Sequence, residues 1–257
     1  MYIKSIVVLG LSALAMSACV PDSNPEDLEL PPINIASFYS WPSGETAEAD
    51  IEAMGRDNIV FVVDRSGSMS YDACSGATNA AGSTKSRSEE TRDALGEFIP
   101  IIPDDIALGY VEFGSKASIT VPLGTGPGVR MQIAQAASQH AGDWGDTNLS
   151  DALTLADEML REQALRQNST GTYRIVVVTD GRANSNFKLR TTLRIINETP
   201  VEVLTAGFCI GEQHALNQPG ETVYVNAGNT QDLLTLFTQA VQDESADFAV
   251  DFASTSN

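Results

Sequence analysis

The chain has 257 residues, 42% of them hydrophobic, and a formal net charge of −19. That length and apolar content suffice for one full core of about 200 residues with tails. The acidity excludes a nucleic-acid partner, because a polyanion surface requires a basic footprint that is missing here.

The charge is uneven along the chain. Residues 19–50 hold seven acids and no Lys or Arg, and residues 243–257 hold four more without a base. Residues 51–242 carry 23 acids against 14 bases.

In chain order, "MYIKSIVVLGLSALAMSAC" reads as an export signal over residues 1–18: Lys4 leads, an apolar run begins at Ile6, and small residues follow. The run is too short to span a bilayer comfortably. Ser17 and Ala18 stand directly before Cys19, an arrangement that resembles a bacterial lipobox. The resemblance implies diacylation of Cys19 and a lipid anchor in the membrane. Met16 occupies the position where that motif prefers Leu, and simple cleavage to a soluble periplasmic protein is the alternative. Val20, rather than Asp, follows the cysteine, so the expected location is the outer membrane, facing the periplasm or the cell surface. Residues 19–56 read as an acidic, Pro- and Ser-rich tether, with Phe38, Tyr39 and Trp41 available to pack on a domain surface.

Two cysteines remain, Cys74 and Cys209. In an exported chain such a pair suggests a disulfide pinning the loop 70–86, which is rich in Ser, Gly and Ala. Two unrelated buried thiols are the alternative, because a bridge needs Cα atoms about 6 Å apart.

From residue 57 the pattern alternates. "NIVFVVD" (58–64) is a continuous apolar run, as in a strand covered on both faces. Residues 86–102 have helical spacing, with Ala94, Leu95, Phe98 and Ile99 inward, Glu89, Glu90, Arg92 and Asp93 outward, and Ser86 or Ser88 as cap. Strands are expected at 106–114 and 116–124; the Gly-Ser step between them demands an antiparallel hairpin. Helices are expected at 129–140 and 147–168, a buried strand at 173–180, a helix at 187–197, strands at 201–208 and 221–228, and a closing helix at 229–243 with Leu233, Leu234, Phe237 and Val241 inward. Residues 244–257 read as a flexible acidic tail. The fold class is α/β: an open, doubly wound, mostly parallel sheet with one antiparallel edge strand and helices on both faces.

In such sheets ligands sit at the carboxyl ends of the strands, where the connections reverse direction. "DRSGSM" begins at the end of the first strand, "GDTNLSDAL" (145–153) precedes a helix, and "TDGRAN" (179–184) follows another buried strand. These place Asp64, Ser66, Ser68, Thr147 and Asp180 on one edge. Two carboxylates with three hydroxyls, and no Cys or His, suit a hard divalent cation; Mg²⁺ accepts six oxygens and retains waters, so a sparse protein shell is sufficient. Ordinary turn and helix-cap hydroxyls are the alternative for any one of the three. Arg65 and Arg182 flank the set and read as solvated loop charge.

Over residues 57–243 the chain resembles a von Willebrand factor type A (vWA) domain, of Rossmann-like architecture. "DRSGSM" matches its Asp-x-Ser-x-Ser signature, "GDTNLSDAL" its Thr-bearing loop, and "TDGRAN" its Asp-Gly loop. The resemblance implies that the five residues form a metal-ion-dependent adhesion site. Ser66 and Ser68 would bind Mg²⁺ (or Mn²⁺ or Ca²⁺) directly, with Thr147 joining when a partner is engaged. Asp64 and Asp180 would act through waters, and an Asp or Glu of a protein partner would complete the shell.

The expected function is therefore a membrane-anchored, non-enzymatic module that captures a protein ligand, with no small-molecule substrate. A passive structural lipoprotein with a stabilising metal is one alternative. A hydrolase is another, disfavoured because the histidines, His140 and His214, read as surface residues and no Gly-x-Ser-x-Gly elbow exists.

Overall fold

The computed structural model describes residues 41–42, 50–72, 85–139, 145–181, 183–211 and 213–242. The export signal, Cys19, Phe38, Tyr39, Cys74, His140, Arg182 and the tail 244–257 lie outside them.

Six strands form one sheet: β1 (Asn58–Asp64), β2 (Ala107–Phe113), β3 (Ala117–Gly124), β4 (Tyr173–Thr179), β5 (Val201–Phe208) and β6 (Thr222–Ala227). Their order is β3-β2-β1-β4-β5-β6. Every pairing is parallel except β2 with β3, the predicted hairpin at the sheet edge. β1 is buried at all seven positions, whereas on β3 only Val121 is.

Strand alternation divides the core in two. Ile59, Phe61 and Val63 of β1 join one cluster, with helices α1 (Arg87–Phe98), α2 (Pro127–Ser138) and α5 (Thr230–Val241). Val60 and Val62 join the other, with α3 (Leu149–Arg166) and α4 (Asn186–Asn197). Successive side chains on a strand point to opposite faces, so a continuous apolar run is what a doubly covered strand requires. Phe61 meets Phe237 edge-on, with ring centroids 5.4 Å apart. No helix among the described residues is long and apolar enough to cross a membrane.

Helix α1 starts where expected. Ser86 accepts from the Glu89 amide while the Glu89 carboxylate accepts from the Ser86 amide, closing a capping box. One outward assignment fails on this helix. Glu90 is buried, and its carboxylate accepts from the backbone N–H of Thr230 at 2.7 Å and from its hydroxyl. The α1 periodicity assigns Glu90 to solvent; the orphan donor at the start of α5 draws it inward.

Candidate metal centre

The strand order reverses between β1 and β4, so the loops leaving these neighbours diverge and open a crevice at their carboxyl ends. Asp64 closes β1, and Asp180 directly follows β4. After Asp64 the chain turns through Ser66 into a short 3-10 turn at Gly67–Ser70. Thr147 precedes α3, whose first residue is Leu149.

The oxygens of these segments meet in a hydrogen-bonded chain. Asp64 Oδ1 accepts from the Ser66 amide at 2.7 Å, and Asp64 Oδ2 accepts from the Thr179 hydroxyl at 2.5 Å. The Ser66 and Ser68 hydroxyls lie 3.1 Å apart, and Ser68 donates to Asp180 Oδ1 at 2.7 Å. The other Asp180 oxygen is paired with the Arg87 guanidinium. Although Ser66 occupies the N-cap position of the 3-10 turn, its side chain makes no capping bond. The hydroxyls of both serines are thus turned toward other oxygens rather than toward a helix start.

Thr147 reaches the group from the α3 side. Its loop is clamped to the one after β4: the Thr147 amide donates to Asn184 Oδ1 at 2.9 Å, and the Asn184 amide donates back to the Thr147 carbonyl at 3.0 Å. Gly181 leaves the space between them open. A Cβ there would stand 3.1 Å from Thr147 Oγ1 and 3.8 Å from Asp64 Oδ2. Glycine at this point keeps a cradle that any side chain would fill.

The electrostatics are those of a desolvated acid. Asp64 is fully buried, and burial pushes its carboxyl up to about 6; the bonds from Thr179 and Ser66 hold it back, and the neighbouring Asp180 charge raises it further. Among the described residues no three His, Cys, Asp or Glu side chains are grouped to hold a metal. The set brought together here is instead two carboxylates with hydroxyls, a donor chemistry that fits a hard cation and no soft one.

Of the five residues singled out in the sequence, Asp64, Ser66, Ser68 and Asp180 are linked directly, and Thr147 faces the same cradle through Gly181. Three further residues were not foreseen. Thr179 and Asn184 orient the carboxylate and the Thr147 loop. Arg87 was missed, although a cation in the first turn of a helix is electrostatically misplaced and hence a signal. Arg65 is no loose loop charge, since it pairs with Glu112 of β2 at 3.3 Å. His214 is buried, not on the surface as its loop position suggested, and its Nδ1 accepts from the Leu216 amide at 3.2 Å. Trp41 packs on the domain as expected, edge-on to Tyr173 at 5.0 Å and beneath the Arg161 guanidinium.

Residues 59–182 match the family model described as the von Willebrand factor type A domain. Solved structures similar in fold are distant in sequence. The conserved hypothetical protein BatB from Bacteroides thetaiotaomicron is 15% identical with a TM-score of 0.55, covering 72% of this chain and 97% of that one. Manganese-loaded TRAP protein of Plasmodium vivax is 18% identical with a TM-score of 0.53, covering 73% and 74%. A von Willebrand factor type A protein from Catenulispora acidiphila is 15% identical with a TM-score of 0.56, covering 73% and 43%. No curated protein matches the chain in sequence. Over residues 59–182 the chain therefore carries the vWA domain. Its sheet order and doubly covered strands are those of the fold these structures share.

Proposed function

We propose that this vWA domain binds one divalent cation, Mg²⁺ in the first instance and Mn²⁺ or Ca²⁺ as substitutes, through Asp64, Ser66, Ser68, Thr147 and Asp180. An Asp or Glu of a protein partner completes the metal shell, and the domain performs no catalysis. The carrying observation is the chain of oxygens from Asp64 to Asp180, gathered at the sheet's reversal point with the serine hydroxyls not used as caps. The manganese-loaded state of the structurally similar TRAP protein supports the choice of a divalent cation. When bound, the ion supplies a positive centre that accepts a carboxylate. On the protein side, Thr179 and the Ser66 amide hold the Asp64 carboxylate, while Asp180 accepts the Ser68 hydrogen bond and so turns that hydroxyl's lone pairs toward the Ser66 side.

The same reading places the protein at the cell envelope, anchored in the outer membrane through lipid on Cys19, with the tether 19–56 lifting the domain away. It also joins Cys74 to Cys209. Cys209 immediately follows β5, at the carboxyl edge, and the bridge between Asp72 and Ser86 holds the two ends of the intervening loop together near that edge.

Calorimetric titration of the full chain with Mg²⁺, Mn²⁺ and Ca²⁺ is the test, followed by capture from detergent extracts with Mg²⁺ against chelator. Uptake of one ion, with partner capture lost in Thr147→Ala at an unchanged melting temperature, is the expected result. No uptake of any of the three overturns the proposal. Loss of stability alone in Thr147→Ala assigns the metal a purely structural role.

A further inference from the structure

Arg87 is the feature that the cation reading leaves unexplained. It is the first residue of α1, and its backbone amide donates to the Tyr71 carbonyl at 3.1 Å. Its guanidinium is paired with Asp180, whose side chain is wholly buried, and also donates to the Ser68 carbonyl at 3.3 Å. The Arg87 side chain itself is only 16% exposed, and its Nε is buried without a hydrogen-bond partner among the described residues. Two costs accompany this placement: a cation at the positive end of a helix, and a dry N–H left unpaired. The first turn of α1 otherwise carries acids, Glu89 and Glu90, as a helix start prefers.

The charge balance accounts for these costs. Asp64 and Asp180 are the carboxylates of the site, and a divalent ion alone would cancel them. A partner carboxylate arriving at a neutral centre, on a protein of net charge −19, would meet only repulsion beyond contact distance. With Arg87 present the loaded site retains one net positive charge. In the cation-free protein the same guanidinium relieves the repulsion between Asp180 and Asp64. Both effects lower cation affinity, and the first raises anion affinity.

We infer that Arg87 is a specificity-determining residue of this site: it weakens cation binding in exchange for an anion-attracting, singly positive centre that selects a carboxylate-bearing partner. The inference rests on the cation reading above and concerns this chain's own guanidinium, which is not itself a proposed ligand but contacts two of them, Asp180 and Ser68.

The test uses the full chain, Arg87→Gln and the charge-conserving Arg87→Lys. Mg²⁺ binding is measured by calorimetry, and acetate binding to the Mn²⁺-loaded protein by water-proton relaxation. Arg87→Gln is expected to bind Mg²⁺ about tenfold more tightly and acetate about tenfold more weakly, the scale of one charge removed at short range in a partly screened site. Arg87→Lys is expected to resemble the wild type in both. Without cation, Arg87→Gln should melt at a lower temperature than the wild type, and saturating Mg²⁺ should close that gap. Unchanged or weakened Mg²⁺ affinity in a folded Arg87→Gln, or unchanged acetate affinity, overturns the role of Arg87 alone. A wild-type protein that takes up no cation overturns the underlying reading and this inference with it.

Discussion

The two ends of β1 each bury a polar side chain completely, and they treat it in opposite ways. At the amino end, Asn58 Nδ2 donates to the carbonyls of Arg56 and Thr172 and to Gln167 Oε1, all at 2.8 Å. Gln167 in turn donates to the carbonyls of Ala53 at 2.6 Å and Arg56 at 3.1 Å. The amide N–H groups there all find acceptors, mostly backbone carbonyls, with Asn58 Oδ1 left without a hydrogen-bond partner among the described residues, and the network ties the segment before β1 to the connection between α3 and β4. At the carboxyl end, Asp64, Ser66, Ser68 and Asp180 gather acceptors in excess of protons, with Arg87 as a local counter-charge. A network whose donors are satisfied stabilises; an acceptor-rich one costs stability unless a cation neutralises it. The comparison separates scaffold from site within a single seven-residue strand.

Substitutions at the two ends should diverge accordingly. Gly171, at the amino end, has φ +87° and would place a Cβ 2.1 Å from the Arg56 carbonyl oxygen. Gly171→Ala is expected to cost about 3 kcal/mol or more in chemical denaturation, with the cation affinity of the folded fraction unchanged. Asp64→Asn should reverse that pattern. Its Mg²⁺ affinity, read by calorimetry, is expected to fall about a hundredfold, or about 2.7 kcal/mol.

Asn58→Ala should again act on stability alone. It leaves the Gln167 acceptor and two carbonyls without their shared donor, for a loss of about 2 kcal/mol in denaturant midpoint analysis. An Asn58→Ala protein of unchanged stability but weakened cation binding would abolish the distinction between the two ends.

The pH dependence offers a further discrimination. Asp64 in the cation-free fold is held near 6, above its ordinary value of 3.8, so the folded state binds the proton more tightly than the unfolded one. Asp64 therefore costs no stability below about pH 4, and its cost grows as the pH rises through 6. Without cation, Asp64→Asn should be about 1–2 kcal/mol more stable than the wild type at pH 7, a figure below the full shift because the carboxamide loses an acceptor oxygen. The gap should close as the pH falls from 6 to 4. Denaturation curves across that range, with the chain freed of metal, provide the measurement.

The smallest effect belongs to Trp41 at the amino end, where it lies edge-on to Tyr173 and under Arg161. Trp41→Ala is expected to lower stability by about 1 kcal/mol in denaturant titration and to leave Mg²⁺ affinity untouched.

Much of this architecture is legible in the chain itself. The run from Asn58 to Asp64 and the run from Tyr173 to Thr179 are too apolar for anything but strands covered on both sides, and both emerge as such. Ser86 with Glu89 announces the start of α1. The grouping of these oxygens is legible because each lies within a few residues of a strand or helix end, and a parallel sheet brings its carboxyl ends to one edge by construction.

What periodicity could not supply was pairing between distant segments. Glu90 faces inward because of a helix 140 residues away, and Arg87 is set against Asp180 across 93 positions. Asn58 finds Gln167 across 109, and the burial of His214 depends on how its loop folds back. Local sequence decides which face of an element is apolar, since side-chain direction repeats every 2 or 3.6 residues. Which charge or donor meets which, once those faces are buried, is decided only by the packed chain, where an unpaired polar group is too costly to leave alone.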